Sequence, residues 1–136
     1  MRQFGLIGRN ISYSFSQSYF TEKFKNENIV DCIYNVFDLK EIEEVEKVFN
    51  TENLVGFNVT IPYKQEIIPY LDELSAEAKA IGAVNTVLIK DGKRIGHNTD
   101  CYGFHHSIEP LLEPHHKKAL VLGNGGAAKA VFYILD

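Results

Sequence analysis

The stretch Leu54-Val55-Gly56-Phe57-Asn58-Val59-Thr60-Ile61-Pro62-Tyr63-Lys64 joins a short apolar run to a polar end. An apolar run of this length is typical of a strand that enters a sheet. Asn58, Thr60 and Lys64 emerge together where the strand ends, and Pro62 stops the strand because it has no N–H to donate. A lysine held beside an amide and a hydroxyl is suited to bind an oxygen-rich ligand. The alternative is an ordinary strand-to-helix junction with a solvated lysine.

Apolar runs and amphipathic stretches alternate on both sides of this strand. The predicted elements around it are strands over 3–8 and 32–37, a helix carrying Phe20 and Phe24, and helices over 40–50, 64–74 and 76–81. Pro69 should break or kink the helix over 64–74. The resulting β-α-β-α-β order implies parallel strands with helices packed over the sheet. We therefore predict the α/β class, with a three-layer α-β-α domain and a mostly parallel sheet.

Asp91-Gly92 separates two strand-like runs, over 83–90 and 93–99. A two-residue Asp-Gly link between such runs predicts a β-hairpin, because glycine tolerates the positive φ of the turn. The hairpin should bring Asn85-Thr86 near Asn98-Thr99-Asp100, so that two polar clusters meet at one end of the sheet.

Small hydroxyl side chains alternate with larger ones in Ile11-Ser12-Tyr13-Ser14-Phe15-Ser16. In an extended segment Ser12, Ser14 and Ser16 point the same way, because side chains alternate with period two. Three hydroxyls on one face could bind a carboxylate or a polyol. A serine-rich loop that caps the following helix is the alternative.

The C-terminal part of the chain carries a second candidate site. A helix is predicted over 100–112, shortened or kinked at Pro110, and the polar residues 113–118 are interpreted as a linker between domains 1–112 and 119–136. An apolar strand over 119–122 is followed by Gly123-Asn124-Gly125-Gly126-Ala127 and a helix start. A strand, a glycine-rich turn and a helix N-terminus together favour dinucleotide binding, since free N–H groups there can hold a pyrophosphate. A plain turn is the alternative.

Composition excludes several classes of function. The formal net charge is −4 and the basic residues are scattered, which argues against nucleic acid and anionic membranes as partners. No apolar run approaches the length of a membrane span. Cys32 and Cys101 have no framework spacing, so we expect reduced thiols in a cytoplasmic protein. The candidate metal ligands are His97, Asp100, Cys101 and His105. Their spacing fits no closed zinc pattern, so no metal site is expected.

The motifs, taken in this order and at these distances, resemble the shikimate dehydrogenase family. They are Ser14 with Ser16, the motif Asn58 to Lys64, Gly82-Ala83-Val84-Asn85-Thr86, Asn98-Thr99-Asp100, and the glycine-rich turn from Gly123. The resemblance implies a substrate domain followed by the first strand, turn and helix of a Rossmann-type NADP domain. It implies reversible reduction of 3-dehydroshikimate to shikimate with NADPH, on the route to aromatic amino acids.

The resemblance also implies roles for individual residues. Lys64 and Asp100 match the family's catalytic pair. The residues that match its substrate-binding positions are Ser14, Ser16, Asn58, Thr60, Asn85 and Thr86, and those of the NADP site are Gly123, Asn124, Gly125, Gly126 and Ala127. Independently of the family, hydride arriving at a ketone carbon leaves charge on the oxygen, and a lysine can supply a cation and a proton there. A structural ion pair is the alternative for these two residues.

The sequence departs from the family pattern in loop detail, and its second domain is short. Arg9-Asn10, Gln17 and Cys101 stand where the family commonly has other residues. A complete mononucleotide-binding unit needs about 30 residues or more, so we expect an N-terminal fragment with little or no dehydrogenase activity. The open edge of strand 119–122 would favour disorder, a homodimer or edge-strand association. A quinate/shikimate dehydrogenase and a non-catalytic module that binds a small hydroxy acid remain alternatives.

Overall fold

A computed structural model describes residues 1–136 as a mixed α/β fold built on one six-stranded sheet. The strands are β1 (Arg2–Gly8), β2 (Cys32–Asp38), β3 (Leu54–Val59), β4 (Glu73–Leu74), β5 (Thr86–Lys90) and β6 (Lys93–His97). The helices are α1 (Phe15–Asn26), α2 (Val45–Phe49), α3 (Ala76–Ile81), α4 (Asp100–Ile108) and α5 (Gly126–Leu135). None of these helices has the length and apolarity that crossing a membrane requires.

The sheet has the strand order β2-β1-β3-β5-β6-β4. Strands β2, β1 and β3 run parallel to each other, β5 is antiparallel to both β3 and β6, and β4 is parallel to β6. The hairpin turn between β5 and β6 has positive φ at both Asp91 (52°) and Gly92 (76°). Positive φ at both central residues matches the right-handed twist of the flanking strands. The predicted α/β class, the mostly parallel sheet and the hairpin are confirmed.

Helices cover both faces of the sheet. Consecutive residues of β1 point to opposite sides, so each of two neighbouring residues packs against a different helix. Leu6 lies in a cluster with Tyr34 of β2 and Phe20 of α1. Ile7, the next residue, lies in the larger cluster that includes Val45 of α2. The predicted three-layer arrangement follows from this alternation, and the sheet is buried on both sides where β1 passes through it.

The predicted helix over 64–74 is wrong. The chain instead forms turns, a short 3₁₀ helix over Ile68–Tyr70, and β4. Pro69 has no N–H for the carbonyl of Gln65, which accepts the N–H of Ile68 instead, one residue earlier than in an α-helix. The carbonyl of Lys64 accepts the N–H of Val84 at 2.7 Å. Tertiary hydrogen bonding therefore replaces the helical ladder in this segment.

Two predicted helices and the two predicted hairpin strands exist but are shorter than expected. The helix predicted over 40–50 is a 3₁₀ turn, Ile42–Glu44, followed by α2. Helix α4 ends at Ile108, and Pro110 lies in a 3₁₀ turn after it. The hairpin strands begin at Thr86 and end at His97, so Asn85 and Asn98 lie just outside them.

The predicted strand over 119–122 is absent. Leu120 and Leu122 are 85% and 87% exposed, and these residues pair with no strand. A strand needs a neighbour to satisfy its N–H and C=O groups, and the sheet offers none at this place. Helix α5 packs on α3 and α4 through a small cluster that contains Ile81, Cys101 and Ala130. The division into domains 1–112 and 119–136 stays a prediction.

Replacing Gly56 in β3 tests the packing of the central strands. A Cβ there would lie 2.4 Å from the backbone oxygen of Val87 on β5. We expect Gly56→Ala to lower the free energy of unfolding by about 1–3 kcal/mol, measured by urea denaturation. Gly103→Ala is the control, because a Cβ there meets no atom within 4 Å and the site lies inside α4. The control should stabilise the chain by up to about 1 kcal/mol. Equal effects would contradict the described pairing of β3 with β5.

Candidate active site

An ion pair between Lys64 and Asp100 lies at the centre of the site. Lys64 Nζ is 2.5 Å from Asp100 Oδ2, and the two side chains are 16% and 31% exposed. Lys64 follows β3 after a tight turn, whereas Asp100 is the first residue of α4. A carboxylate is favoured at a helix N-terminus, where unpaired N–H groups carry partial positive charge. The pair is therefore partly shielded from water while one side remains open to a ligand.

Asn85 holds the carboxylate of Asp100 in place. Its Nδ2 donates to Asp100 Oδ1 at 3.0 Å and to Thr99 Oγ1 at 2.8 Å. Its Oδ1 accepts the backbone N–H of Thr99 at 2.8 Å. Because a backbone N–H can only donate, this contact fixes which end of the Asn85 amide faces Asp100. The β5–β6 hairpin creates this arrangement, as its register predicts, since Asn85 N–H also donates to the carbonyl of His97.

Asn58 and Thr86 continue the polar cluster across the sheet. They are directly opposite each other in the β3–β5 pair. Asn58 Nδ2 donates to Thr86 Oγ1 at 3.3 Å, and the Thr86 hydroxyl donates to Asn85 Oδ1 at 3.2 Å. On its other side Asn58 Oδ1 accepts the hydroxyl of Tyr34 at 2.8 Å. The structure thus brings together five predicted site residues: Asn58, Lys64, Asn85, Thr86 and Asp100.

The two predicted serines lie at the start of α1. Ser14 is the N-cap of this helix, and its hydroxyl oxygen accepts the N–H of Ser16 at 3.2 Å. The capping alternative therefore holds for Ser14, although its hydroxyl hydrogen is still free to donate. Burial raises the pKa of Tyr34 to about 12. The Ser16 hydroxyl approaches the Tyr34 hydroxyl and acts in the opposite direction, since it favours ionisation of the phenol, but this effect is smaller.

Thr60 sits just beyond the end of β3. Its N–H donates to the carbonyl of Ile7 at 3.0 Å, and its carbonyl accepts the N–H of Tyr63 at 2.9 Å. These bonds turn the chain directly after β3, so that Lys64 comes back toward the sheet. Gly8 leaves room for this turn, since a Cβ there would lie 2.6 Å from the methyl group of Thr60.

The glycine-rich turn lies against the lysine of the ion pair. Gly123 has φ 128°, in the region that favours glycine, and Gly125 is the N-cap of α5. A Cβ on Gly126 would lie 2.7 Å from Lys64 Cβ and 3.2 Å from Lys64 Cδ. The first turn of α5 carries no acidic residue and its N-cap makes no side-chain bond. The N-terminus of α5 therefore has unpaired N–H groups and a dipole that suit a phosphate. The glycine-rich turn and the first residues of α5 fit the pyrophosphate of a dinucleotide.

Sequence reasoning missed Tyr34 as a member of this cluster. Tyr34 is 4% exposed, and it lies on β2, two strands away from β3. A usable signal was present, because a buried tyrosine on an apolar strand needs a hydrogen-bond partner for its hydroxyl. The identity of that partner depends on the strand register and therefore required the structure.

A family model described as "Shikimate dehydrogenase substrate binding domain" matches residues 6–87. The chain belongs to the shikimate dehydrogenase family. The matched range contains Lys64 and the serine, Asn58 and Asn85 motifs, whereas Asp100 and the glycine-rich turn lie after it. The resemblance carried by the sequence motifs is thereby confirmed.

Individual members of the shikimate dehydrogenase family match almost the whole chain. A relative from Clostridium perfringens (strain SM101 / Type A), "Shikimate dehydrogenase (NADP(+))", is 45% identical over 139 residues, which cover 100% of this chain and 51% of the relative. The crystal structure of shikimate dehydrogenase 1 from Peptoclostridium difficile is 37% identical with a TM-score of 0.88, covering 99% of this chain and 52% of that one.

A third relative carries ligands. Shikimate 5-dehydrogenase from Thermus thermophilus, solved in complex with NADP(H) and shikimate, is 33% identical with a TM-score of 0.83, and the match covers 99% of this chain and 52% of that one. The chain spans about half the length of the shikimate dehydrogenases that it matches.

Gly126→Ala tests whether the glycine-rich turn supports Lys64. Alanine in the first turn of a helix would by itself stabilise the chain by up to about 1 kcal/mol. The contact with the Lys64 stem should outweigh this gain and lower the free energy of unfolding by about 1–3 kcal/mol in urea denaturation. The control is Gly103→Ala, since a Cβ there meets no atom within 4 Å and the site lies inside α4; we expect no loss of stability and a gain of up to about 1 kcal/mol. Indistinguishable stabilities of the two variants would show that α5 does not contact Lys64.

Proposed function

We propose that this chain forms the substrate-binding and proton-transferring part of an NADP-dependent shikimate dehydrogenase, which reversibly reduces 3-dehydroshikimate to shikimate. The observation that carries the proposal is the Lys64–Asp100 ion pair at 2.5 Å, placed between a cluster of amide and hydroxyl groups and the N-terminus of α5. Two of the relatives above support it: the Clostridium perfringens protein is a shikimate dehydrogenase (NADP(+)), and the Thermus thermophilus enzyme was solved in complex with NADP(H) and shikimate.

The polar cluster has the chemistry to bind a small hydroxy acid. Asn58 Nδ2 uses one hydrogen for Thr86 and has a second for a ligand oxygen. The hydroxyls of Ser14, Ser16 and Thr60 add further polar groups at the start of α1 and just after β3. Several neutral donors on one side of a cationic lysine suit a ligand that carries a carboxylate and several hydroxyls, as shikimate does.

Lys64 is the group that we propose to handle the proton. When a ketone is reduced, negative charge develops on its oxygen, and an ammonium within hydrogen-bond distance can stabilise that charge and donate the proton. In the reverse direction the lysine amine accepts a proton from the hydroxyl that is oxidised. Asp100 orients the lysine nitrogen, and Asn85 in turn orients Asp100 through its Nδ2 bond of 3.0 Å. The chain needs no metal for these steps.

NADPH is the cofactor that we propose, and when bound it supplies the hydride. The residues that would hold it are Gly123, Asn124, Gly125, Gly126 and Ala127. Positive φ at Gly123 and the uncapped start of α5 support this assignment. The exposed, unpaired Leu120 and Leu122 leave the turn without the sheet that normally supports such a site. We therefore propose that this chain alone has little or no dehydrogenase activity.

We place the reaction in the cytoplasm, where the free thiols of Cys32 and Cys101 would stay reduced.

A binding module for a small hydroxy acid is the second candidate function. It is favoured by the fact that the polar cluster forms within this chain, whereas the segment over 119–122 forms no strand. Both candidates predict binding of a small hydroxy acid and little or no turnover by this chain alone. They differ once the chain is joined to the C-terminal half of a full-length relative, because only the first candidate then predicts NADPH-dependent reduction of 3-dehydroshikimate. Comparing shikimate with quinate, under NADP and under NAD, in that fusion tests the quinate/shikimate alternative.

A titration of shikimate into the chain, followed by backbone amide NMR shifts, tests the proposed site. We expect saturable shifts at the end of β3, at the start of β5 and at the start of α4. Lys64→Ala should weaken binding by about tenfold or more, because a hydrogen bond from a charged group contributes about 1.5–3 kcal/mol.

Lys47→Ala is the matched control, since the Lys47 side chain is 80% exposed on α2 and its partner is Glu44. It should bind shikimate as the unaltered chain does. A well-dispersed spectrum that shikimate leaves unchanged would refute shikimate binding by this chain, and equal losses in the two lysine variants would remove Lys64 from the site.

A further inference from the structure

A continuous chain of hydrogen bonds connects Tyr34 on β2 with Asp100 on α4. The Tyr34 hydroxyl donates to Asn58 at 2.8 Å, and Asn58 donates to Thr86 at 3.3 Å. Thr86 then donates to Asn85 at 3.2 Å, and Asn85 donates to Asp100 at 3.0 Å. Every link runs in the same direction, from the phenol toward the carboxylate of the ion pair.

The direction of this chain is set at the end nearest Asp100. There the backbone N–H of Thr99 requires Oδ1 of Asn85 as its acceptor, so Nδ2 of Asn85 faces Asp100. Thr86 has one hydroxyl hydrogen and donates it to Asn85 Oδ1, so its oxygen accepts from Nδ2 of Asn58. Oδ1 of Asn58 then faces Tyr34, whose hydroxyl donates to it. Tyr34 therefore supplies the second bond that selects the resting position of the Asn58 amide.

Tyr34 is held firmly enough to make this selection. Its ring stacks on Phe20 of α1, with ring centroids 4.4 Å apart and planes 13° from parallel. The residue is 4% exposed, so its hydroxyl cannot turn away into water. The phenol is protonated near neutral pH, as any tyrosine is, and burial raises the pKa of Tyr34 further, to about 12.

We propose that Tyr34 is a positioning residue for the substrate site: its buried hydroxyl fixes the Asn58 amide so that an N–H of Nδ2 faces the ligand. The inference rests on the proposed function, because it assigns Asn58 to shikimate binding. Without the Tyr34 hydroxyl, Oδ1 of Asn58 loses its donor and the amide is held by Thr86 alone. The amide can then turn about the remaining bond, and the N–H that faces the ligand is misdirected.

Tyr34→Phe tests this role, because it removes the hydroxyl and keeps the ring that stacks on Phe20. We expect shikimate to bind about three- to tenfold more weakly, as for the loss of one hydrogen bond. The side-chain amide NMR signals of Asn58 and Asn85 should shift in the unliganded variant, which a general loss of stability would not cause.

The matched control is Tyr63→Phe. Tyr63 is fully buried, and its hydroxyl donates to the carbonyl of Leu39 at 2.8 Å, away from the polar cluster. It loses a buried hydrogen bond as Tyr34→Phe does, and it should leave shikimate affinity and both asparagine signals unchanged. If Tyr34→Phe binds like the unaltered chain, or if both variants lose affinity equally, the proposed role of Tyr34 is overturned.

A measurement on the unaltered chain avoids any dependence on how the variants fold. The side-chain amide hydrogens of Asn58 should show stronger nuclear Overhauser contacts to Thr86 than to the ring hydrogens beside the Tyr34 hydroxyl. The reverse pattern would overturn the proposal directly. If the unaltered chain shows the expected contacts but binds no shikimate, the proposed function fails while the orientation of Asn58 by Tyr34 stands.

Discussion

The structure depends on the ion pair between Lys64 and Asp100. Its partners come from distant parts of the chain, one after β3 and one at the start of α4, and they meet at 2.5 Å. Breaking a partly buried pair by removing one partner leaves a charge without compensation, which costs more than losing an exposed pair. The turn after β3, the β5–β6 hairpin and α4 are thus coupled through one contact.

Neighbouring backbone supports this contact from several directions. The Lys64 carbonyl accepts the N–H of Val84, which ties the lysine to the segment that leads into β5. The Asn85 amide bridges Thr99 and Asp100, so the hairpin also orients the acid. Gly126 approaches the Lys64 stem closely enough that any side chain there would displace it. The proton transfer that we propose needs this kind of preorganisation, because small displacements of the reacting groups are costly.

Local patterns predicted the parts of the fold that local chemistry determines. The Asp91-Gly92 turn fixed the hairpin, and the hairpin fixed the meeting of Asn85 with Asp100. The helix predicted over 64–74 failed because a long-range bond to Val84 replaced its first turn and Pro69 removed a donor. The strand over 119–122 failed because a strand requires a neighbour, which no local pattern supplies. Tyr34 was missed since its partner, Asn58, lies 24 residues away.

A crystal structure of the chain with shikimate bound tests the central claim most directly. We predict that a hydroxyl oxygen of shikimate lies within about 3.2 Å of Lys64 Nζ, with the Lys64–Asp100 pair intact and the ligand carboxylate on the side of Ser14 and Ser16. A ligand bound away from Lys64, or a Lys64–Asp100 pair that separates when shikimate binds, would contradict the proposed roles of both residues.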